Sequence, residues 1–432
     1  GCIYHPALNK DGSESNNKKY VSKIQKNNKY AENEKKIGEL VVKIDGYINH
    51  FAPVLMKENL KITKVKKSFF NDCSALEDQD KKSGNLIMMK MEYINGEEFI
   101  EYLIKNKENV TIVKNLISSY THLLTSIKLL TDTRVIHFDI KGDNILFNRD
   151  KEIPIIIDFG LSINMNELIN QSISVDKLRK FFYVFGPDYY IWPIEVHYIC
   201  YLLNVNENPT EKEIKKICNE YVDNNIALKI NCSREFINSY RKSCYKILMK
   251  LNETTFADKI NKVLSSWYTW DNYSLSIIYL QFIYYLNITG YVKNNLIIKF
   301  SELLLTNINP DPKKRLNVLK TKQKFTEFLY NLNINSVINF QEVKEMFLFN
   351  KQNISIATIW IFHISGIIGI IYSNSSWFIK ATPLNLALSF LLVLINTKIS
   401  KKTVFLFFLC FTVGMLAEII GVNKGLIFGE YS

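Results

Sequence analysis

Apolar residues change their spacing twice along this chain. From residue 1 to about 95 they come in short runs: Cys2-Ile3-Tyr4, Tyr20–Ile24 and 85–94. A lysine-rich polar stretch at 10–19 and one helical pattern near 30–46 interrupt them. Short apolar runs bounded by polar turns predict strands. After residue 96 the spacing lengthens. Over 111–130, Ile112, Leu116, Tyr120, Leu123, Leu124 and Ile127 recur at helical intervals and predict a long amphipathic helix, and helical patterns continue to about 345. The expected architecture is α+β, with a small β-rich lobe at 1–95, a larger helical lobe at 96–345 and a cleft between them.

The second change follows a linker at 346–352. Three runs, 353–372, 382–397 and 403–422, carry almost no charge, and the first and third approach the ~20 residues that a helix needs to span a bilayer. Two or three transmembrane helices are therefore expected in a membrane segment at 353–432. Lys344 and Lys351 precede the first run, and Lys398, Lys401 and Lys402 lie between the second and third. If the spans alternate, both groups fall on the cytoplasmic face, which predicts a membrane-anchored chain with its soluble part in the cytoplasm. His363 and Glu418 fall inside spans, where polar groups are costly.

Composition refines this picture a little. Hydrophobic residues make up 47% and charged residues 22%, enough for a packed core. The net charge of +12 is spread along the chain without a dense basic block interleaved with aromatics. No specific nucleic-acid partner is expected, although the charge suits a surface near acidic lipid headgroups. The seven cysteines show no CxxC spacing, so neither a disulfide framework nor a zinc site is expected, and a reducing compartment fits. The abrupt opening at Gly1-Cys2-Ile3, without an initiator Met, predicts an amino terminus upstream of this sequence.

The strongest chemical signal is His137-Phe138-Asp139-Ile140-Lys141-Gly142-Asp143-Asn144, followed by Ile156-Ile157-Asp158-Phe159-Gly160. Phosphoryl transfer needs positioning, metal ions on the phosphates and a carboxylate beside the attacking hydroxyl. Asp139 can orient that hydroxyl, and Lys141 can steady the γ-phosphate as charge shifts. Asn144 and Asp158 offer the oxygen donors that Mg2+ takes. Either motif alone is an ordinary turn. Both in this order, with an apolar strand before the second, rarely arise by chance.

These residues resemble the eukaryotic-type protein kinase family, and the resemblance extends over about residues 1–345. Gly1-Cys2-Ile3 is similar to the end of the glycine-rich loop over the ATP phosphates, placing Gly1 and Ile3 at the nucleotide. Lys23 falls where the family's strand lysine grips the α/β-phosphates. The run Asn33-Glu34-Lys35-Lys36-Ile37 resembles the family's C-helix, which makes Glu34 the expected ion-pair partner of Lys23, with Glu39 as competitor. Met91-Glu92-Tyr93-Ile94 resembles the gatekeeper and hinge, implying adenine binding at Met91, Glu92 and Ile94, and Glu98 is the candidate for the ribose. Trp192-Pro193-Ile194-Glu195 resembles the element that ends the activation segment, with Glu195 pairing with Arg315. Asp271 matches the buried helix aspartate that braces the catalytic loop. His137, Phe159 and Gly160 are expected in support of the two acidic residues.

The resemblance implies a two-lobe fold and a transferase that uses ATP and Mg2+ to phosphorylate Ser/Thr of protein substrates. The run GCIYHPAL and the later YYIWPIEVHYICYLL are similar to kinases of large double-stranded DNA viruses. Phe138 departs from the family, which mostly has Arg there to receive a phosphate from the activation segment. The expectation is activity that does not depend on phosphorylation at Ser162, Ser172, Ser174 or Tyr183. Residues 351–432 resemble the start of bacterial carotenoid biosynthesis proteins of the hydratase type. Rival readings are a membrane-anchored pseudokinase scaffold, a fusion with a truncated carotenoid-modifying enzyme, and a small-molecule kinase.

Overall fold

The computed structural model describes residues 1–60, 65, 73, 76, 86–105, 109–169, 174–288, 295–331 and the isolated positions 358, 392 and 412. The chain divides into two units, Gly1–Asn333 and Ile334–Ser432. Among the described residues no helix is long and apolar enough to cross a membrane. Apart from the isolated positions 358, 392 and 412, the spans expected at 353–372, 382–397 and 403–422, with His363 and Glu418, lie outside the described residues.

The first unit opens with β1 (Cys2–Tyr4), β2 (Tyr20–Lys26), α1 (Lys29–Val41), β3 (Phe51–Ala52), β4 (Met56–Asn59) and β5 (Leu86–Glu92). Strands β1, β2, β5 and β4 form an antiparallel sheet in that order, with Ile3 opposite Lys23 and Lys23 opposite Met89. Helix α1 starts where Asn28 accepts hydrogen bonds from the backbone N–H groups of Tyr30 and Ala31, satisfying donors the helix leaves open. Its inward stripe is Ala31, Glu34, Ile37, Gly38 and Val41, at the spacing of one helix face. Gly38 is required there: a Cβ would collide with the Val54 carbonyl. The helix ends at Val41 rather than near 46: the Val42 N–H closes the last turn onto the Gly38 carbonyl, and the chain then turns on through Gly46 at φ 69°.

The sequence suggested no disulfide, yet Cys2 and Cys73 are bonded, with Cα atoms 5.7 Å apart and a sequence separation of 71. The bond sits in an apolar cluster with Leu8, Ile24, Leu60, Val65, Leu76, Leu86 and Met88. Cysteines this far apart give no spacing signal, so only the fold reveals the pair.

The helical lobe follows. β6 (Gly96–Glu98), α2 (Phe99–Lys105), α3 (Asn109–Asp132), β7 (Val135–Ile136), β8 (Ile145–Asn148), β9 (Ile153–Ile157) and β10 (Ile163–Asn164) lead into α4 (Asn166–Ile169) and α5 (Val175–Phe181). Then come α6 (Ile194–Asn204), α7 (Glu211–Asn224), α8 (Ile226–Asn231), α9 (Arg234–Asn252), α10 (Phe256–Leu264), α11 (Trp270–Ile288), α12 (Asn295–Asn307) and α13 (Val318–Asn331). Helix α3 is central: Ile112, Leu116, Tyr120, Leu123, Leu124 and Ile127 are all buried, and Tyr120 meets Tyr279, Phe300 and Phe325 edge-on. Two small sheets, β3-β9-β8-β6 and β10-β7, present the loops that carry the polar motifs. β3 runs parallel to the end of β9, matching Ala52 with Ile157 immediately before Asp158.

Candidate active site

Strand β2 carries Lys23 to the cleft, and α1 presents Glu34 to it. Lys23 Nζ donates to both Glu34 oxygens, at 2.9 and 3.0 Å, and lies 3.1 Å from Asp158 Oδ2. Glu39 lies on the exposed side of α1 beside Lys35, 3.2 Å away, which leaves Glu34 as the partner of Lys23. Burial works against the ammonium, but the carboxylates of Glu34 and Asp158 outweigh it and hold Lys23 above its ordinary pKa. Burial likewise pushes the Asp158 carboxyl up. Lys23 and the Gly160 N–H more than offset this and hold it below the usual carboxylate value. Burial also raises the Glu34 carboxyl above its ordinary value, an effect that the Lys23 ammonium only partly offsets.

Asp158 follows β9 in a left-handed conformation, φ 61°, unusual for a non-glycine residue. Gly160 N–H donates to Asp158 Oδ1 at 3.3 Å, and Asn33 on α1 donates to the carbonyls of Gly160 and Ser162. The loop after β9 is thus tied to the same helix that carries Glu34.

The loop after β7 is braced from below. Asp271, near the start of α11, accepts from the N–H groups of His137 at 2.7 Å and Phe138 at 2.9 Å. Burial lifts its carboxyl above the usual value despite those donors. The His137 ring hydrogen-bonds the Ile157 carbonyl at 3.0 Å and meets Phe159 edge-on, which joins the two motifs. Asn144 Nδ2 donates to the Asp139 carbonyl at 2.9 Å and to Asp139 Oδ2 at 2.8 Å, and Lys141 Nζ lies 3.4 Å from that same oxygen. Donation through Nδ2 directs the other end of the Asn144 amide, its oxygen, away from Asp139.

Phe138 takes a left-handed conformation, φ 66°, and its ring is buried. It stacks on Trp192 at 4.4 Å and packs against Phe182 and Trp270, while Trp192 Nε1 donates to the Phe138 carbonyl. Glu195 on α6 and Arg315 form a fully buried ion pair, and Trp270 Nε1 adds a hydrogen bond to Glu195 at 3.2 Å.

Above these loops lies a cavity of about 310 Å³, near the lower end of the size range for small-molecule sites. Gly1, Ile3, Lys23, Glu34, Met91, Glu92, Ile94, Asn144 and Asp158 line it. Glu98 does not. It ends β6, opposite Leu146 on β8, and is exposed to solvent. Sequence reasoning missed the apolar walls Val21, Ala52 and Leu146, and it assigned no role of their own to Tyr93, Asp143 and Ile157, which also line the cavity. Among the described residues no group of three or more His, Cys, Asp or Glu could hold a metal. Asn144 and Asp158 nevertheless fit magnesium, which takes one or two protein oxygens and completes its shell with phosphate and water.

Tyr189 is a further participant that no motif pointed to. Its hydroxyl donates a short hydrogen bond to Asp139 Oδ1. Burial, followed by the neighbouring Asp139 charge, pushes the phenol's pKa well up, so it stays a protonated donor.

Residues 13–180 match the family described as protein kinase domain. Among curated proteins, a stretch of 92 residues is 30% identical to the EKC/KEOPS complex subunit bud32 of Dictyostelium discoideum, covering 21% of this chain and 36% of that protein. A stretch of 122 residues is 29% identical to serine/threonine-protein kinase D of a Synechocystis species, covering 26% and 24%. A stretch of 81 residues is 38% identical to the probable serine/threonine-protein kinase fnkB of Dictyostelium discoideum, covering 18% and 14%. The chain thus spans about a third or less of the length of these relatives. The kinase-domain match stops at residue 180, so Glu195, Asp271 and Arg315 stand on the structure alone.

Proposed function

We propose that this kinase domain transfers the γ-phosphoryl group of ATP to Ser or Thr hydroxyls of protein substrates. One observation carries the reading: Lys23, Glu34, Asp158 and Asn144 converge on a single cavity, and Asn144 in turn holds Asp139. In this reading Met91, Glu92 and Ile94 receive the adenine, and Lys23, oriented by Glu34, grips the α/β-phosphates. Asp139 aligns the acceptor hydroxyl for attack on Pγ and takes its proton as the bond to the leaving ADP oxygen breaks. Lys141 steadies the transferring oxygens. Asn144 and Asp158 would hold magnesium, which neutralises phosphate charge when bound.

Activity is expected without phosphorylation of the activation segment, because Phe138 is locked by stacking where a phosphate-binding arginine would need a charge to order it. The uncharged runs between 353 and 422 support an anchor in the lipid bilayer, with the kinase domain on the cytoplasmic side. The full chain, treated with phosphatase and supplied with Mg-ATP and a basic protein substrate, should incorporate phosphate on Ser/Thr. Asp139→Ala should reduce the rate at least about 10³-fold, on the scale of general-base and positioning losses. Equal rates for Asp139→Ala and the parent chain would overturn the assignment. Recovery of activity only after phosphorylation would refute the independence.

A further inference from the structure

We propose that Tyr189 occupies the acceptor-hydroxyl position and competes with the substrate for Asp139, an inference that rests on the kinase reading above. The phenol reaches Asp139 from the segment that leads into α6, and it donates to Oδ1. The other carboxylate oxygen, Oδ2, is already held by Asn144 and faces Lys141. Oδ1 is therefore the oxygen available to orient an incoming hydroxyl, and Tyr189 sits on it.

The placement is built rather than incidental. Tyr189 N–H donates to the Gly186 carbonyl at 3.0 Å, closing a turn, and the buried His197 ring hydrogen-bonds the Tyr189 carbonyl at 3.1 Å. The Tyr189 ring lies edge-on to Trp192 at 4.8 Å, and Trp192 is itself stacked on Phe138 and bonded to its carbonyl. Neighbouring Tyr190 is held elsewhere, with its hydroxyl accepting from Gln281 at 2.7 Å. Two adjacent tyrosines are thus sorted, and only Tyr189 meets the carboxylate. A serine or threonine substrate must displace a half-buried phenol whose hydrogen bond to a charged group is stronger than one between neutral groups.

The test is Tyr189→Phe in the full chain, which keeps the ring against Trp192 and removes only the hydroxyl. With a basic serine peptide, kcat/KM should rise about tenfold, mainly through a lower peptide KM, the change expected when a competing hydrogen bond to a charged group is removed. The KM for ATP should not move. A second readout needs no turnover. With a non-hydrolysable ATP analogue, the variant should bind a fluorescent serine peptide several-fold more tightly than the parent, but bind the matching alanine peptide equally. Unchanged or weaker serine-peptide binding overturns the proposal, as does lower kcat/KM in a chain whose activity Asp139→Ala abolishes. If neither chain phosphorylates anything, the kinase reading fails, while the binding comparison still decides the occupancy of Asp139.

Discussion

Replacing Arg315 with Met should be among the most damaging single changes in this domain. The Arg315 side chain is 0% exposed and that of Glu195 1%. Methionine fills most of the volume but leaves the Glu195 carboxylate in the interior. Its remaining donors are Trp270 Nε1 at 3.2 Å and Ser266 Oγ at 3.5 Å, both neutral and both on Oε1. Removing one member of a buried ion pair costs about 3–5 kcal/mol, most of it the penalty of the charge left behind. An exposed pair of the same composition would cost ~0–1 kcal/mol. The two cases are easily separated by urea unfolding of the full chain followed by tryptophan fluorescence, since Trp270 touches the pair directly. A second change, Glu195→Gln, made in the Arg315→Met background should recover part of the loss, because a neutral amide is far cheaper to bury. The coupling between the two positions should exceed ~1 kcal/mol. A loss below ~1 kcal/mol for Arg315→Met, or additive effects in the cycle, would refute the view that this pair is sealed from water and anchors the start of α6.

Two further outcomes follow from groups outside the cleft. Glu213 closes a capping box at the start of α7 and has its pKa lowered to about 2, first by the Thr210 N–H, then by the Thr210 hydroxyl, Tyr201 and Asn206. A folded-state pKa below the ordinary 4.5 means its contribution is complete above that pH and is lost as pH falls towards about 2. The difference in Tm between the parent chain and Glu213→Gln should therefore be largest above pH 5 and shrink steadily on acidification, and a pH-independent difference would exclude the charge as its source. For the Cys2–Cys73 bond, loop-closure entropy for a sequence separation of 71 sets a stabilisation of about 4 kcal/mol. Cys2→Ser should lower Tm under oxidising conditions and match the parent chain under reducing ones. Identical melting of the parent chain with and without dithiothreitol would argue against the bond.

The contiguous part of the candidate site could be picked out in the sequence, because residues 137–144 and 156–160 carry their spacing with them. Lys23 and Glu34 could be placed only because their surroundings resemble the kinase strand lysine and C-helix; spacing left Glu39 open, and the buried contact of Glu34 with Lys23 decides against it. The rest required the fold. Val21, Ala52 and Leu146 wall the cavity, yet as residue types they cannot be told from core. Glu98 was misplaced because its distance from the hinge along the chain says nothing of how β6 pairs with β8. The Cys2–Cys73 pair depends on a chain crossing, and Tyr189 on which of two identical neighbours turns inward. Side chains whose role comes from tertiary direction leave no local trace.

The Phe138 cluster links these observations. In a loop that depends on an arginine, the backbone around the catalytic aspartate is stabilised by a charge that arrives from outside and can be removed. Here the same stretch is held by groups that are always present: Asp271 on the His137 and Phe138 N–H groups, Trp192 on the Phe138 carbonyl, and aromatic faces on the Phe138 ring. The strained φ of Phe138 persists because all of these constrain it at once. On the kinase reading proposed above, a loop fixed in this way would give phosphorylation of the segment that follows it nothing to order. On that reading, control would act on access to Asp139 rather than on the loop's shape, and the residue on that path is Tyr189, whose ring lies edge-on to Trp192 of the Phe138 cluster.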